Sequence, residues 1–221
     1  MKTKITAPGH SFENSISKEE MNTLAKFFVV FTPGFVKDGI GILNDNVKIF
    51  RIKNVIKRTH EANEELKLYG AQIKPLPIKE SLLYLDAASL EEDETLQKSY
   101  SKLLANAGLN SNNMIVYLSI LKELTPADAK VLQYFYKVMS SKDIKYPKLF
   151  RWSIAKNIFS ENNEEARISF DNLLRHKLLE YPEINETYDG SGHKEAEKYL
   201  QPSSLGRAFI LACNEINITE R

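Results

Sequence analysis

The amino-acid order predicts a mainly α-helical fold, on three observations. Apolar residues recur at three- and four-residue steps through most of the chain. Residues suited to opening and closing helices bracket those segments. Extended patterning is confined to two short runs near the C-terminus, Leu178-Leu179-Glu180-Tyr181 and Lys198-Tyr199-Leu200.

The bulk numbers fit a packed protein. The chain has 221 residues, enough for one large domain or two small ones. Its 43% hydrophobic and 27% charged residues allow a sizeable core and argue against global disorder. A net charge of +1 sets up no overall field toward DNA or anionic lipid, so any nucleic-acid surface has to be a local patch. The single cysteine, Cys213, rules out an intrachain disulfide and fits a reducing compartment. With no apolar signal core in residues 1–17, the expected location is the cytoplasm.

Residues 1–16 read as a flexible tail, 17–121 as a helical domain and 122–221 as a second unit. From Ser17 an apolar segment, AKFFVVF, is broken by Pro33-Gly34 and followed by FVKDGIGIL, which predicts two short helices joined at the turn. The whole apolar stretch Leu24–Leu43 carries Lys26, Lys37 and Asp38, so burial suits it better than membrane contact.

A long helix is predicted over about 45–69. Ile49, Ile52, Ile56, Ala62 and Leu66 share one face, Asn44 or Asp45 stands at its start, and Gly70 suits a left-handed position after its end. Its basic run (Lys48, Arg51, Lys53, Lys57, Arg58) does not share one face and reads as a solvated surface. Pro75 and Pro77 then open a helix over 77–88 with Ile78, Leu82, Leu83 and Leu85 as its apolar stripe. Ser89-Leu90-Glu91-Glu92 has the form of a capping box, with Ser89 as the cap. The carboxylates Glu91 to Glu94 read as complements to a helix N-terminus and not as metal ligands, since neighbours in a first turn point in different directions. The helix that follows buries Leu96, Tyr100, Leu103, Leu104 and Ala107 and stops at Gly108.

Thr125-Pro126 opens the next helix, Thr125 as cap and Pro126 in the first turn, with Leu132, Phe135, Tyr136 and Met139 inward. Helices with Leu149, Trp152, Ile154 and Ile158, then with Ala166, Phe170, Leu173 and Leu174, follow it. After them come a strand, a polar tip over 183–196 holding Gly190 and Gly192, a returning strand, and a last helix capped by Ser203 or Ser204. Three helices, a β-hairpin and a helix are the order of a winged-helix-like module.

In such modules the third helix enters the major groove. Here that helix covers about 163–177, and its candidate nucleic-acid contacts are Arg167, Asn172, Arg175 and Lys177, with Lys194 on the wing. The balance of charge weakens this reading. From 148 to 177 six basic residues (Lys148, Arg151, Lys156, Arg167, Arg175, Lys177) face four acidic ones (Glu161, Glu164, Glu165, Asp171), a small surplus for neutralising several phosphates. Packing or protein contact therefore stands slightly ahead of DNA binding. His10, His60, His176 and His193 are scattered, Cys213 lies on an apolar helical face, and no phosphate-loop, dinucleotide or nucleophile-elbow motif occurs. The chain is expected to be no enzyme, to need no cofactor and to hold no metal.

The blocks LDAASLEEDETLQKSYSKLLANAG, within 75–108, and YLSILKELTPADAKVLQYFY together resemble the abortive infection alpha family. VKIFRIKNVIKRTHEANEELKLYG before them and Leu-Gly-Arg-Ala-Phe near the C-terminus resemble it too. Ser89, Leu90, Glu91, Asp93, Leu96, Leu103, Leu104, Ala105, Asn106 and Ala107 carry the likeness. Where the family has an aromatic followed by Ala, this chain has Tyr100 followed by Ser101. The resemblance implies a role in phage defence, in which an infected cell stops growing before phage mature, and brings no catalytic residues with it. The expected function is a non-enzymatic, defence-associated protein acting by protein contact or sensing. The alternative is a winged-helix transcriptional regulator, and a third reading, a membrane effector acting through Leu24–Leu43, carries least. A protein partner or a second copy of the chain is the expected partner, with nucleic acid second.

Overall fold

The structure is a computed structural model and describes residues 17–28, 46–71, 73–109, 113–142, 144–145, 147–160, 162–182 and 198–216. The tail 1–16, the Pro33-Gly34 turn with most of the Leu24–Leu43 stretch, and the wing tip with Lys194 lie outside them.

The described residues form nine α-helices and a small three-stranded antiparallel sheet. Helix α1 (Lys18–Phe27) opens on a capping box in which Ser17 and Glu20 exchange side-chain and backbone bonds. It seats Leu24, Phe27 and Phe28 in the core, where Phe28 bridges to Leu76. Helix α2 (Asn46–Leu68) matches the predicted long helix, and Gly70 beyond it takes φ 62°. Its basic run is not all solvated. Arg58 is buried, donating twice to Glu61 and once to Gln97, because its neighbours supply the carboxylate and amide that offset its desolvation.

Helix α3 (Ile78–Leu90) turns an unexpected side inward. Ser81, Tyr84, Ala87, Ala88 and Ser89 are buried, while Ile78, Leu82, Leu83 and Leu90 are exposed. Small residues let the helix lie close against α2, and Tyr84 fills the remaining space, edge-on to Tyr100. The expected cap is also displaced. Ser89 is still inside α3, where it accepts from Arg51 Nε at 2.9 Å. Helix α4 (Glu94–Gly108) is capped by Asp93, which accepts from the amides of Thr95 and Leu96. Glu91 accepts from the amides of Glu92 and Asp93, so Glu91 and Asp93 of the acidic cluster serve the bend between the two helices. The predicted stripe of α4 is buried as expected, and this helix is the hub of the core, touching α2 and the last helix most heavily.

Helix α5 (Met114–Leu121) had no sequence signal of its own: MIVYLSIL is apolar almost all round, so it has no period to read. Helix α6 (Pro126–Lys142) begins at the predicted Thr125 cap. Strand β1 (Leu149–Phe150) replaces the start of the helix expected there. Helix α7 (Arg151–Phe159) follows it and leaves Trp152 exposed. Then come α8 (Asn163–Arg175), β2 (Leu179–Glu180), β3 (Tyr199–Pro202) and α9 (Ser204–Asn214), capped by Ser203. The sheet order is β1-β3-β2, pairing Phe150 with Tyr199 and Glu180 with Gln201.

Helix α9 approaches the start of β2 so closely that a Cβ on Gly206 would stand 1.7 Å from Leu178 O. It also packs on α4 and α6, so one core runs across the 121/122 boundary. No helix among the described residues is long and apolar enough to cross a membrane.

Candidate interaction surface around helix α8

Thr125 Oγ1 accepts from the amide of Asp128, and Asp128 Oδ2 accepts from both the amide and the hydroxyl of Thr125, each at 2.8 Å. This capping box starts α6. Asp128 is fully buried, and its carboxylate also takes Ser169 Oγ and Asn172 Nδ2 from α8, both at 2.7 Å. One carboxylate thus joins the start of α6 to the middle of α8, with each bond charge-assisted. The sequence reading placed Thr125 but missed its partner; the Thr-Pro-Ala-Asp spacing was the signal that could have found it.

That hub settles the positions of the predicted contacts. Asn172 is half-buried, its amide on Asp128 and its carbonyl accepting from Arg175 at 2.9 Å. Arg175 is exposed but also donates to Glu123 across the groove at 3.3 Å. His176 Nε2 lies 3.6 Å from the same carboxylate. Arg167 is exposed. Lys177 is exposed just past the helix, at φ 56°. Lys194 lies outside the described residues. The structure therefore brings Asn172 and Arg175 together, but onto each other and onto carboxylates.

The inward face of α8 is Ala166, Ser169, Phe170 and Leu173. Helical spacing puts Glu164, Arg167, Ile168, Asp171 and Arg175 on the opposite side, where Ile168 is 59% exposed. Beside it lies a shallow groove walled by Glu123, Thr125, Asp128, Ile168, Asp171, Asn172 and Arg175. The surface mixes both signs of charge around one large apolar side chain. That composition suits a protein partner; a phosphate-tracking face needs an excess of cations.

Cys213 is buried on α9, and burial pushes its thiol well above the usual range, so no thiolate forms near neutrality. Among the described residues no three His, Cys, Asp or Glu side chains are grouped to hold a metal ion.

Residues of the α3–α4 block serve the fold. Asn106 Nδ2 donates to Ala212 O at 2.8 Å and Glu215 O at 2.7 Å, closing the C-terminal end of α9 onto α4. Ser101 Oγ donates to Glu61 at 2.6 Å, so its hydroxyl belongs to the buried Arg58 network.

A family model described as abortive infection alpha matches residues 50–213. No curated protein and no solved structure matches the chain.

Proposed function

Because the chain belongs to the abortive infection alpha family, we propose that it acts in phage defence as a non-enzymatic cytoplasmic protein, engaging a protein partner through the outward face of α8. The observation that carries this reading is the make-up of that face: Ile168 stands exposed among Glu164, Arg167 and Asp171, while Arg175 and Asn172 are held by Glu123 and Asp128. The buried, protonated Cys213 supports the non-enzymatic side, since it removes the chain's only thiol as a nucleophile. Expression in a susceptible host followed by a broad phage panel tests the reading. The intact chain lowers plaque counts and Ile168→Glu restores them with the fold retained. Unchanged plaquing across the panel overturns it.

The element order supports a second reading. The run α6, β1, α7, α8, β2, β3, with sheet order β1-β3-β2, is compatible with a winged helix, in which α8 would be the recognition helix. Retardation of duplex DNA at low salt, abolished by Arg167→Glu with Arg175→Glu, would favour a regulator over a protein-contact role.

A further inference from the structure

Between Asp143 and Glu161 the sequence runs through seventeen positions without a carboxylate while carrying Lys145, Lys148, Arg151 and Lys156. The same stretch places aromatic rings at the surface. Trp152, the only tryptophan of the chain, is 55% exposed, and Phe150 is exposed beside it in sequence. Phe150 pairs in register with Tyr199 of β3, their rings 5.3 Å apart and edge-on. Lys156 Nζ stands 4.9 Å from the centre of the Trp152 ring. Arg151 turns the other way, over the buried Phe170. No side chain caps the N-terminus of α7, so the partial positive charge of its first turn adds to that of the lysines.

Exposed aromatic rings beside exposed lysines, in a run of sequence without a carboxylate, match one ligand chemistry closely. Unpaired bases offer π faces for the rings, and the connecting phosphates need the cations. A duplex hides its base faces, an acidic peptide has nothing planar to stack, and an anionic membrane needs no ring-on-ring contact. We propose that the β1–α7 surface, with Phe150 and Trp152 as stacking platforms and Lys145 and Lys156 along the phosphates, binds single-stranded nucleic acid without sequence preference. It uses no residue of α8, so its failure leaves the protein-contact reading intact.

Trp152 is its own reporter. The full-length chain is titrated with oligo(dT), oligo(U), a duplex, polyglutamate and phosphatidylserine vesicles while Trp152 fluorescence is followed. The proposal expects saturable quenching by a single strand, tighter than by any other probe. The slope of log affinity on log salt should be about −1.4, at about −0.7 for each of two phosphates neutralised. By anisotropy of a labelled strand, Trp152→Phe keeps binding and Trp152→Ala weakens it about tenfold. Lys145→Glu with Lys156→Glu abolishes it. All these side chains are exposed, and unchanged circular dichroism checks the fold. Quenching by polyglutamate, duplex or vesicles equal to that by single strands overturns the proposal, as does no quenching by any probe or full binding by Trp152→Ala.

Discussion

Replacing Asn106 with Ala should loosen the joint between α4 and α9 more than any surface change. Asn106 is 2% exposed, and its amide reaches two carbonyls more than a hundred positions along the chain, Ala212 O and Glu215 O. These are carbonyls at the end of α9, where no further turn of helix supplies donors. The contact to Ala212 is buried, so losing its donor costs about 1–3 kcal/mol. The contact to Glu215 is only partly buried and water can take it over, so its loss costs about 0.5–1.5 kcal/mol. Together the substitution should cost about 2–4 kcal/mol, with Tm falling by roughly 2–4 °C for each kcal/mol in a chain of this size. Urea denaturation followed by circular dichroism measures the loss. Thiol modification of the neighbouring Cys213, buried on the same helix, reports whether α9 opens locally. Asn106→Asp keeps the shape but sets an acceptor against two carbonyls, so it should be at least as damaging. A loss below about 0.5 kcal/mol, with Asp tolerated, would refute the reasoning and show that packing of Phe209, Ile210, Ala212 and Cys213 alone holds the helix.

Other substitutions read other joints. Asp128→Ala strips the partner from Thr125, Ser169 and Asn172 at once and should cost about 3 kcal/mol or more by urea denaturation; a cost under about 1 kcal/mol would mean that α6 and α8 do not depend on it. Gly206→Ala forces a methyl against Leu178 O and should cost at least about 1–3 kcal/mol by thermal melting; a neutral result would show that α9 can slide off β2. Asp86 is exposed, and the Lys122 ammonium at 2.7 Å holds its carboxyl below the ordinary 3.8. A depressed carboxyl stabilises the fold above its unfolded value and loses that contribution as pH falls through the folded one. The stability difference between the parent and Lys122→Ala should therefore be small and salt-sensitive at neutral pH and vanish on acidification; a difference that grows in acid would contradict it.

How far the fold could be read from the sequence depends on where each residue's partner lies. Helix α4 was legible because its buried and exposed sides differ sharply in polarity. The apolar run of α5 carried no period, so nothing marked it. Ser89 has the spacing of a capping box, whereas Asp93 four positions later caps without one, and only the bend after Leu90 decides between them. Helix α3 was turned the wrong way because hydropathy ranks leucine above alanine and serine. Close helix approach instead selects small side chains, and it sent Leu82 and Leu90 outward.

The candidate surface was harder to read, for the same reason. Asn172 has the chemistry to pair with adenine, and nothing within its own helix reveals that Asp128, forty-four positions earlier, already holds its amide. Arg175 is likewise claimed by Glu123 from before the helix begins. In the opposite direction, Trp152 shares a helix with the buried Ile154, yet it stands in solvent with a lysine over its ring. A polar side chain with distant partners is removed from the surface, and an aromatic one without apolar neighbours is added to it. For this chain both corrections favour the proposed single-strand surface, on the short strand and helix before α8, over α8 itself.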